Sequence, residues 1–395
     1  MSVATLKRRP GFVLLLIAYL GFISLGLPDG TLGIAWPSLR TTFGLPLDAI
    51  GTILASTGIG YMVSSFNSGR ILARFGVGRL LLISSLLMAT SLFGYAIAPF
   101  WWMFLICGVV AGLGSGAIDA GLNAYAANNF GNRHINWLHA CYGLGATLGP
   151  LIMITPLQLG YAWRWGYVVV GLILSLMTVV FAFTLSLWES SHTSSENNTP
   201  SEQVSAFVTL QHPIVWLHIC LFFIYTGLEV TAGQLTYTLF TESRGVDGAL
   251  AGVWVSIYWG SLTVGRIVFG VLTERFNEHH LLRASMLFLI IGATLVSLPN
   301  IPLLSFVGLA LMGFTLAPIF PLLMAQTPQR LGQGRAMHAV GFQVSAAMLG
   351  AAALPALIST LAQRVNLEVV GPALCVMGIV LIVLYEITLR TTKAL

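Results

Sequence analysis

Three carboxylates stand where carboxylates are costly. Asp29, Asp119 and Glu229 lie deep inside apolar runs long enough to cross a bilayer; the other ten acidic residues fall in polar stretches or near the ends of runs. An acid at the bilayer centre costs roughly 2.5–3.5 kcal/mol, so three facing lipid would cost roughly 8–10 kcal/mol. That is comparable to the whole stability of an ordinary domain, roughly 5–15 kcal/mol. They must face water, a ligand or one another. Desolvation and nearby cations tune how tightly such a carboxyl holds a proton, so a group of this kind can load and release a cation as a cavity opens to either side. Asp119 is the first candidate for a coupling acid and Glu229 the second. Asp29, in Gly26-Leu27-Pro28-Asp29-Gly30, is either a third coupling group or the cap of a helix that restarts after a break.

The neighbours of these acids form a polar palette suited to a hydroxyl-rich solute. Asn123 follows Asp119 by one helical turn and shares its face. Gly112, Gly116 and Ala120 mark another face, where a second helix can pack closely. Tyr225 precedes Glu229 by one turn. Gln234, Tyr258 and Gln343 add amide and phenol groups for hydrogen bonds to a substrate. Tyr142 lies one turn from His139 and is placed to donate to a substrate hydroxyl. His139 and His338 open corresponding spans; each either meets headgroups or serves as a proton relay or gate. Arg70, Arg74, Arg266 and Arg275 read as gate or helix-end residues. No lysine or arginine stands deep in a span, which argues against phosphorylated or strongly anionic substrates.

The elements that must position these groups follow from composition. The 395 residues are 56% hydrophobic and 8% charged, against roughly 25% charged in a soluble domain. The chain is an all-α polytopic membrane protein. Its net charge of +5 resides in loops, and no basic run is long enough to bind nucleic acid. Cys107, Cys141, Cys220 and Cys375 lie in apolar runs without metal-ligand spacing, so free thiols and no metal site are expected. No phosphate-binding loop or nucleophile–base pair is present, and an enzyme is not expected. Lys7-Arg8-Arg9 precedes an apolar run too long for a signal peptide and is read as leading into the first retained span.

Spanning runs occur near 11–35, 48–68, 80–99, 101–127, 137–158 and 166–188, then near 213–240, 250–270, 284–300, 301–325, 336–362 and 367–389. With the amino terminus inside, fourteen of the eighteen lysines and arginines fall on the cytoplasmic side. The expectation is therefore a cell (inner) membrane protein with both termini cytoplasmic. Residues 189–212 are rich in Ser, Thr, Asn and Glu and read as a mobile cytoplasmic linker between an amino-terminal bundle (1–188) and a carboxy-terminal bundle (213–395). The Asn197-Asn198-Thr199 sequon within it would not meet glycosylation machinery. The halves match at an offset near 200 residues: Gly69-Arg70-Ile71-Leu72-Ala73-Arg74-Phe75-Gly76 with Gly270-Val271-Leu272-Thr273-Glu274-Arg275-Phe276-Asn277, Leu138-His139-Ala140 with Met337-His338-Ala339, and Asp29 with Glu229.

These loops and the twelve spans resemble the major facilitator superfamily. Gly69, Arg74, Gly76 and Arg79 approximate its loop after the second span, although Ala73 replaces the acid; Gly270, Glu274 and Arg275 keep more of it in the second half. The fourth span, Tyr225-Thr226-Gly227-Leu228-Glu229, Gly265-Arg266 and Gly313-Phe314-Thr315-Leu316-Ala317-Pro318-Ile319-Phe320-Pro321 resemble the fucose permease and glucose permease-like sugar:cation symporters. The resemblance implies two pseudo-symmetric six-helix bundles rocking about a site lined by the first, fourth, seventh and tenth spans. It also implies uptake of a neutral small solute, a monosaccharide, with protons or sodium, by a monomer that needs no cofactor beyond the coupling ion. The alternative is a proton-coupled drug or metabolite exporter: Gly145-Ala146-Thr147-Leu148-Gly149-Pro150 matches part of the antiporter motif, but Leu151 and Ile152 stand where Gly-Gly is required. A non-transporting sensor on the same scaffold is a third reading, and the short loops offer it little partner surface.

Overall fold

The computed structural model describes residues 11–130, 132–189, 205–299 and 301–394. Among the described residues, eleven helical stretches are long and apolar enough to cross a membrane. One of them, Leu47–Ile97 with 51 residues, would be roughly 76 Å long at 1.5 Å per residue, more than twice a hydrocarbon core of about 30 Å. It is two spans. The chain turns between them at Gly76, whose φ of 75° and ψ of 168° interrupt the helix Ile50–Ile97; this backbone geometry strains any residue with a Cβ. The total is therefore twelve spans. The ninth (Glu278–Val296) and tenth (Pro302–Leu316, continued by Ile319–Ala325) are separate. They cross closely: a Cβ on Gly308 would lie 2.5 Å from the Gly292 carbonyl oxygen.

The first span is broken. Its two helices, Phe12–Gly26 and Thr31–Phe43, flank a turn at 27–30, where Pro28 supplies no N–H donor. The fifth span (Asn132–Gln158) crosses this break. A Cβ on Gly26 would meet the Tyr142 carbonyl oxygen at 2.1 Å, one on Gly145 the Ile23 carbonyl oxygen at 2.0 Å, and one on Gly149 the Leu27 carbonyl oxygen at 2.3 Å. Helix packing thus accounts for both glycines of the partial antiporter motif. The fourth span (Trp101–Asn129) packs on the second in the same way: Cβ atoms on Gly112 and Gly116 would meet the carbonyl oxygens of Thr57 and Tyr61 at 2.0 and 2.5 Å.

Among the described residues the two sets of six spans meet from mid-depth, where a Cβ on Gly143 would lie 2.2 Å from Thr263 Oγ1, to one end. Call it the Arg40 end. There Arg40 is ion-paired with Glu242, Thr360 Oγ1 donates to Asp48 at 3.3 Å, and Gly51 packs on Ala356. Nearer mid-depth, Ser256 Oγ donates to the Thr147 carbonyl at 2.6 Å, joining the eighth span (Gly248–Leu272) to the fifth. The opposite, Arg74 end carries the matched loops. Arg70, Arg74, Glu274 and Arg275 are exposed there, and nothing lies within 4 Å of a Cβ built on Gly69 or Gly270. Arg74 covers the ring of Phe75 at 5.6 Å. Among the described residues Glu274 has no ion-pair partner, so the expected loop latch is unmade in this state.

Part of the expected linker is helical. Ala206–Leu210 forms a short helix whose N-cap, Ser205, accepts from the Val208 N–H, and the Trp216 indole N–H donates to the Leu210 carbonyl at 2.9 Å. A mobile linker is thus corrected for 205–212, because a Ser cap and a neighbouring Trp anchor it. The Lys7-Arg8-Arg9 run and the sequon lie outside the described residues.

Candidate functional site

The break in the first span exposes Asp29, while Leu27, Gly30 and Thr31 around it are buried. Its carboxylate accepts from the Tyr142 hydroxyl, and its backbone carbonyl accepts from Gln234 Nε2 at 2.9 Å. It makes no capping bond: the helix restarting at Thr31 has Gly30 as its N-cap and no side-chain cap. The capping alternative is set aside, because the fifth span brings a better donor to the carboxylate.

Asp119 and Asn123 share the fourth-span face, as their spacing requires. Asn123 Nδ2 donates to Asp119 Oδ1 at 3.0 Å and the Tyr61 hydroxyl donates to Oδ2 at 2.6 Å. Each carboxylate oxygen thus has one neutral donor. Glu229 is handled differently. Arg266 Nη2 lies 4.0 Å from Glu229 Oε1, with side-chain exposures of 23% and 14%. A pair at that spacing attracts by about 4 kcal/mol at an effective dielectric of 20. The Asp29 carboxylate is within electrostatic reach of both Glu229 and Asp119. Arg266 is within reach of Tyr142, His139 and Glu229. The acids therefore share one interior space between the two sets of spans rather than facing lipid.

Two of these groups escaped the sequence reading. Arg266, read as a gate or helix-end residue, turns inward from six residues inside the end of its helix, which revises the expectation of no central cation. A long side chain lets the charge reach an acid that the backbone position does not suggest; the signal was its place on the span following Glu229. Tyr61 lies on the second span, outside the four spans expected to line the site. Its signal was Gly116, which lets the two backbones touch beside it.

The remaining expected ligands divide. His139 is exposed and sits edge-on to Phe22 at 5.5 Å. Tyr225 and Tyr258 are buried beneath Glu229: Tyr225 donates to the Leu316 carbonyl at 3.2 Å and also stands within hydrogen-bonding reach of the Glu229 carboxylate, and Tyr258 donates to the Glu229 carbonyl at 2.8 Å. They fix the seventh span (Pro213–Thr238) rather than offer free hydroxyls. Gln343 is 0% exposed and belongs to a separate knot with Thr327 and His218, which Arg330 also joins. A direct ligand role for Gln343 is thereby corrected, because its amide is consumed inside the bundle. His338 is half-buried on the eleventh span. Among the described residues no cluster of three or more His, Cys, Asp or Glu side chains is arranged to hold a metal ion.

Twelve packed spans, the first of them broken beside an interior acid, define a membrane carrier rather than an enzyme. The Major Facilitator Superfamily model matches residues 18–232 and 217–394, and the chain belongs to that family. Curated relatives include Bypass of stop codon protein 6 of Saccharomyces cerevisiae, 24% identical over 90% of this chain and 78% of that protein. The glucose/mannose transporter GlcP of Bacillus subtilis is 20% identical over 78% of each chain. Among solved structures, the E. coli fucose:proton symporter FucP superposes with a TM-score of 0.66 at 14% identity, covering 96% of this chain and 99% of that one. The nucleoside transporter NupG gives 0.78 at 13% identity, covering 95% and 99%.

Proposed function

We propose that this transporter carries a neutral small solute, a monosaccharide, together with a proton or a sodium ion, by alternating access between its two six-span halves. The observation that carries the reading is the convergence of Asp29, Asp119 and Glu229 on one interior space with a single guanidinium among them. Three carboxylates against one cation leave an excess of negative charge, and protons or sodium ions are the groups that balance it without a fixed protein partner. The glucose/mannose and fucose carriers among the similar proteins support a hexose as the solute. Asn123, the exposed His139 and the phenols of Tyr61 and Tyr142 supply its hydrogen bonds. With both termini cytoplasmic in the inner membrane, the open Arg74 end faces the cytoplasm, and the loops bearing Gly69, Arg70, Arg74, Gly270, Glu274 and Arg275 close when the Arg40 end opens. A monomer suffices, since one chain supplies every group.

The test is uptake of labelled hexoses into proteoliposomes under an imposed proton or sodium gradient. Accumulation should require one of the two gradients and collapse with the matching ionophore. Accumulation that survives the loss of both gradients would overturn the symport reading.

A further inference from the structure

Gln234 lies five residues past Glu229 on the seventh span and is 5% exposed. Its Nε2 donates to the backbone carbonyl of Asp29 at 2.9 Å, while its Oε1 is buried with no partner. Asp29 is thus held from both sides. Its carboxylate is tied to Tyr142 of its own half, and its carbonyl is tied to the other half. This double tie falls in the one turn where the first span is not helical, so the Asp29 carbonyl is turned to Gln234 instead of entering a helical ladder. Immediately beyond, the two backbones touch: a Cβ on Gly33 would lie 2.9 Å from both the Gln234 Cα and the Gly233 carbonyl oxygen. The ion pair of Arg40 with Glu242 lies further toward the same end.

We propose that Gln234 is a positioning residue through which the occupancy of the Asp29 carboxylate controls closure of the Arg40 end. The inference rests on Asp29 being a coupling group in the function proposed above. A proton or cation arriving at the carboxylate changes its bond to Tyr142 and turns the 27–30 segment. That turn moves the carbonyl away from Gln234. The amide then has neither of its polar atoms satisfied in a buried place, a costly state unless the halves part and water enters. Because Oε1 already lacks a partner, Gln234 joins the halves through a single hydrogen bond, which a small displacement of the carbonyl breaks. The other charged groups facing Asp29 are Glu229 and Asp119, with Arg266 beyond Tyr142. The Arg40–Glu242 pair lacks this link to a coupling acid and serves only as a latch.

The experiment uses the full chain in proteoliposomes, with Cys107, Cys141, Cys220 and Cys375 replaced and Ile154→Cys as reporter. Ile154 is buried against Gly252 of the eighth span while the Arg40 end is closed. The readout is its labelling rate with a membrane-impermeant maleimide. Gln234→Leu should raise that rate about five-fold or more, as expected for a two-state shift. Asp29→Asn should change labelling when Gln234 is present and add less than about two-fold when Leu replaces it, the signature of coupled sites. Arg40→Ala should instead add independently to Asp29→Asn. Gln234→Glu retains a donor only while protonated, so the ratio of its labelling rate to that of Gln234→Leu should rise with pH, the common rise in reporter thiolate cancelling between the two. Additive effects of Gln234→Leu and Asp29→Asn, or a labelling ratio of Gln234→Glu to Gln234→Leu that ignores pH, would overturn the inference alone. Full ion-driven accumulation by Asp29→Asn would instead overturn the coupling role on which it rests.

Discussion

The two halves treat their interior acids differently. In the first half, Asp29 and Asp119 are met only by neutral donors: one phenol for Asp29, a phenol and an amide for Asp119. In the second half, Glu229 is met by a guanidinium, with two buried tyrosines fixing the backbone beneath it. Neutral donors stabilise a carboxylate without cancelling its charge, so a proton or sodium ion still gains a full charge of attraction there. A carboxylate already beside arginine gains less from a second cation. In the symport proposed above, the exchangeable cation would therefore belong to the first half and a fixed charge balance to the second.

The largest effect that would sharpen this contrast is at Asp119. Asp119→Asn keeps the shape and hydrogen-bonding reach but removes the exchangeable charge. Concentrative uptake should fall by roughly 100-fold or more while solute exchange down its gradient persists, the pattern of lost coupling rather than lost binding. Gradient-driven uptake and counterflow, measured in the same vesicles, separate the two. Full accumulation by this variant would break the assignment. Next comes the second-half pair. Arg266→Ala leaves Glu229 as an interior charge without its arginine, and should abolish transport and lower the thermal midpoint. Adding Glu229→Gln should restore the midpoint, because the lone charge is gone. If the double variant is no more stable than Arg266→Ala, the guanidinium has a role besides balancing Glu229.

Much of this contrast was legible in the sequence, and the missing part has a physical reason. Depth in an apolar run is a one-dimensional property, so Asp29, Asp119 and Glu229 stood out, and so did the Asp119–Asn123 face. The spans were legible for the same reason, including the pair that the helix Ile50–Ile97 fuses across Gly76. Partner identity is three-dimensional. Tyr61 meets Asp119 across 58 positions and Tyr142 meets Asp29 across 113, and no local spacing encodes either. Gln343 and Gln234 looked alike as polar residues in spans. One closes a knot inside its own half, and the other reaches across to a backbone carbonyl of the first span.

A smaller effect tests the neutral-donor side. Tyr61→Phe removes one donor from the Asp119 carboxylate and leaves the ring. A hydrogen bond to a charged group is worth about 1.5–3 kcal/mol, or roughly one to two pH units. The phenol favours the ionised form, so without it the proton is released only at higher pH. The pH profile of uptake should shift upward by about one unit, with little change in the saturating rate. An unshifted profile would show that Asp119 does not titrate during the cycle.

The smallest functional effect should come from Gln343, although it lies deep in a span. Arg330 can only donate, so His218 Nε2, at 3.2 Å, must accept. A neutral imidazole has one N–H; it therefore sits on Nδ1, 2.7 Å from the Gln343 amide nitrogen, and the amide turned end for end accepts it through its oxygen. The amide nitrogen then faces Thr327 Oγ1, which itself donates to the Leu323 carbonyl at 3.2 Å. Every polar atom of this knot is assigned within the second half, and none is left for a solute. Gln343→Leu strands the His218 N–H in a buried place, a loss of about 1–3 kcal/mol, and should lower the thermal midpoint. The KM for solute should stay within about two-fold, since no interaction with substrate is removed. A KM raised ten-fold or more, about 1.4 kcal/mol, with an unchanged midpoint would place Gln343 at the solute and move part of the binding site into the second half.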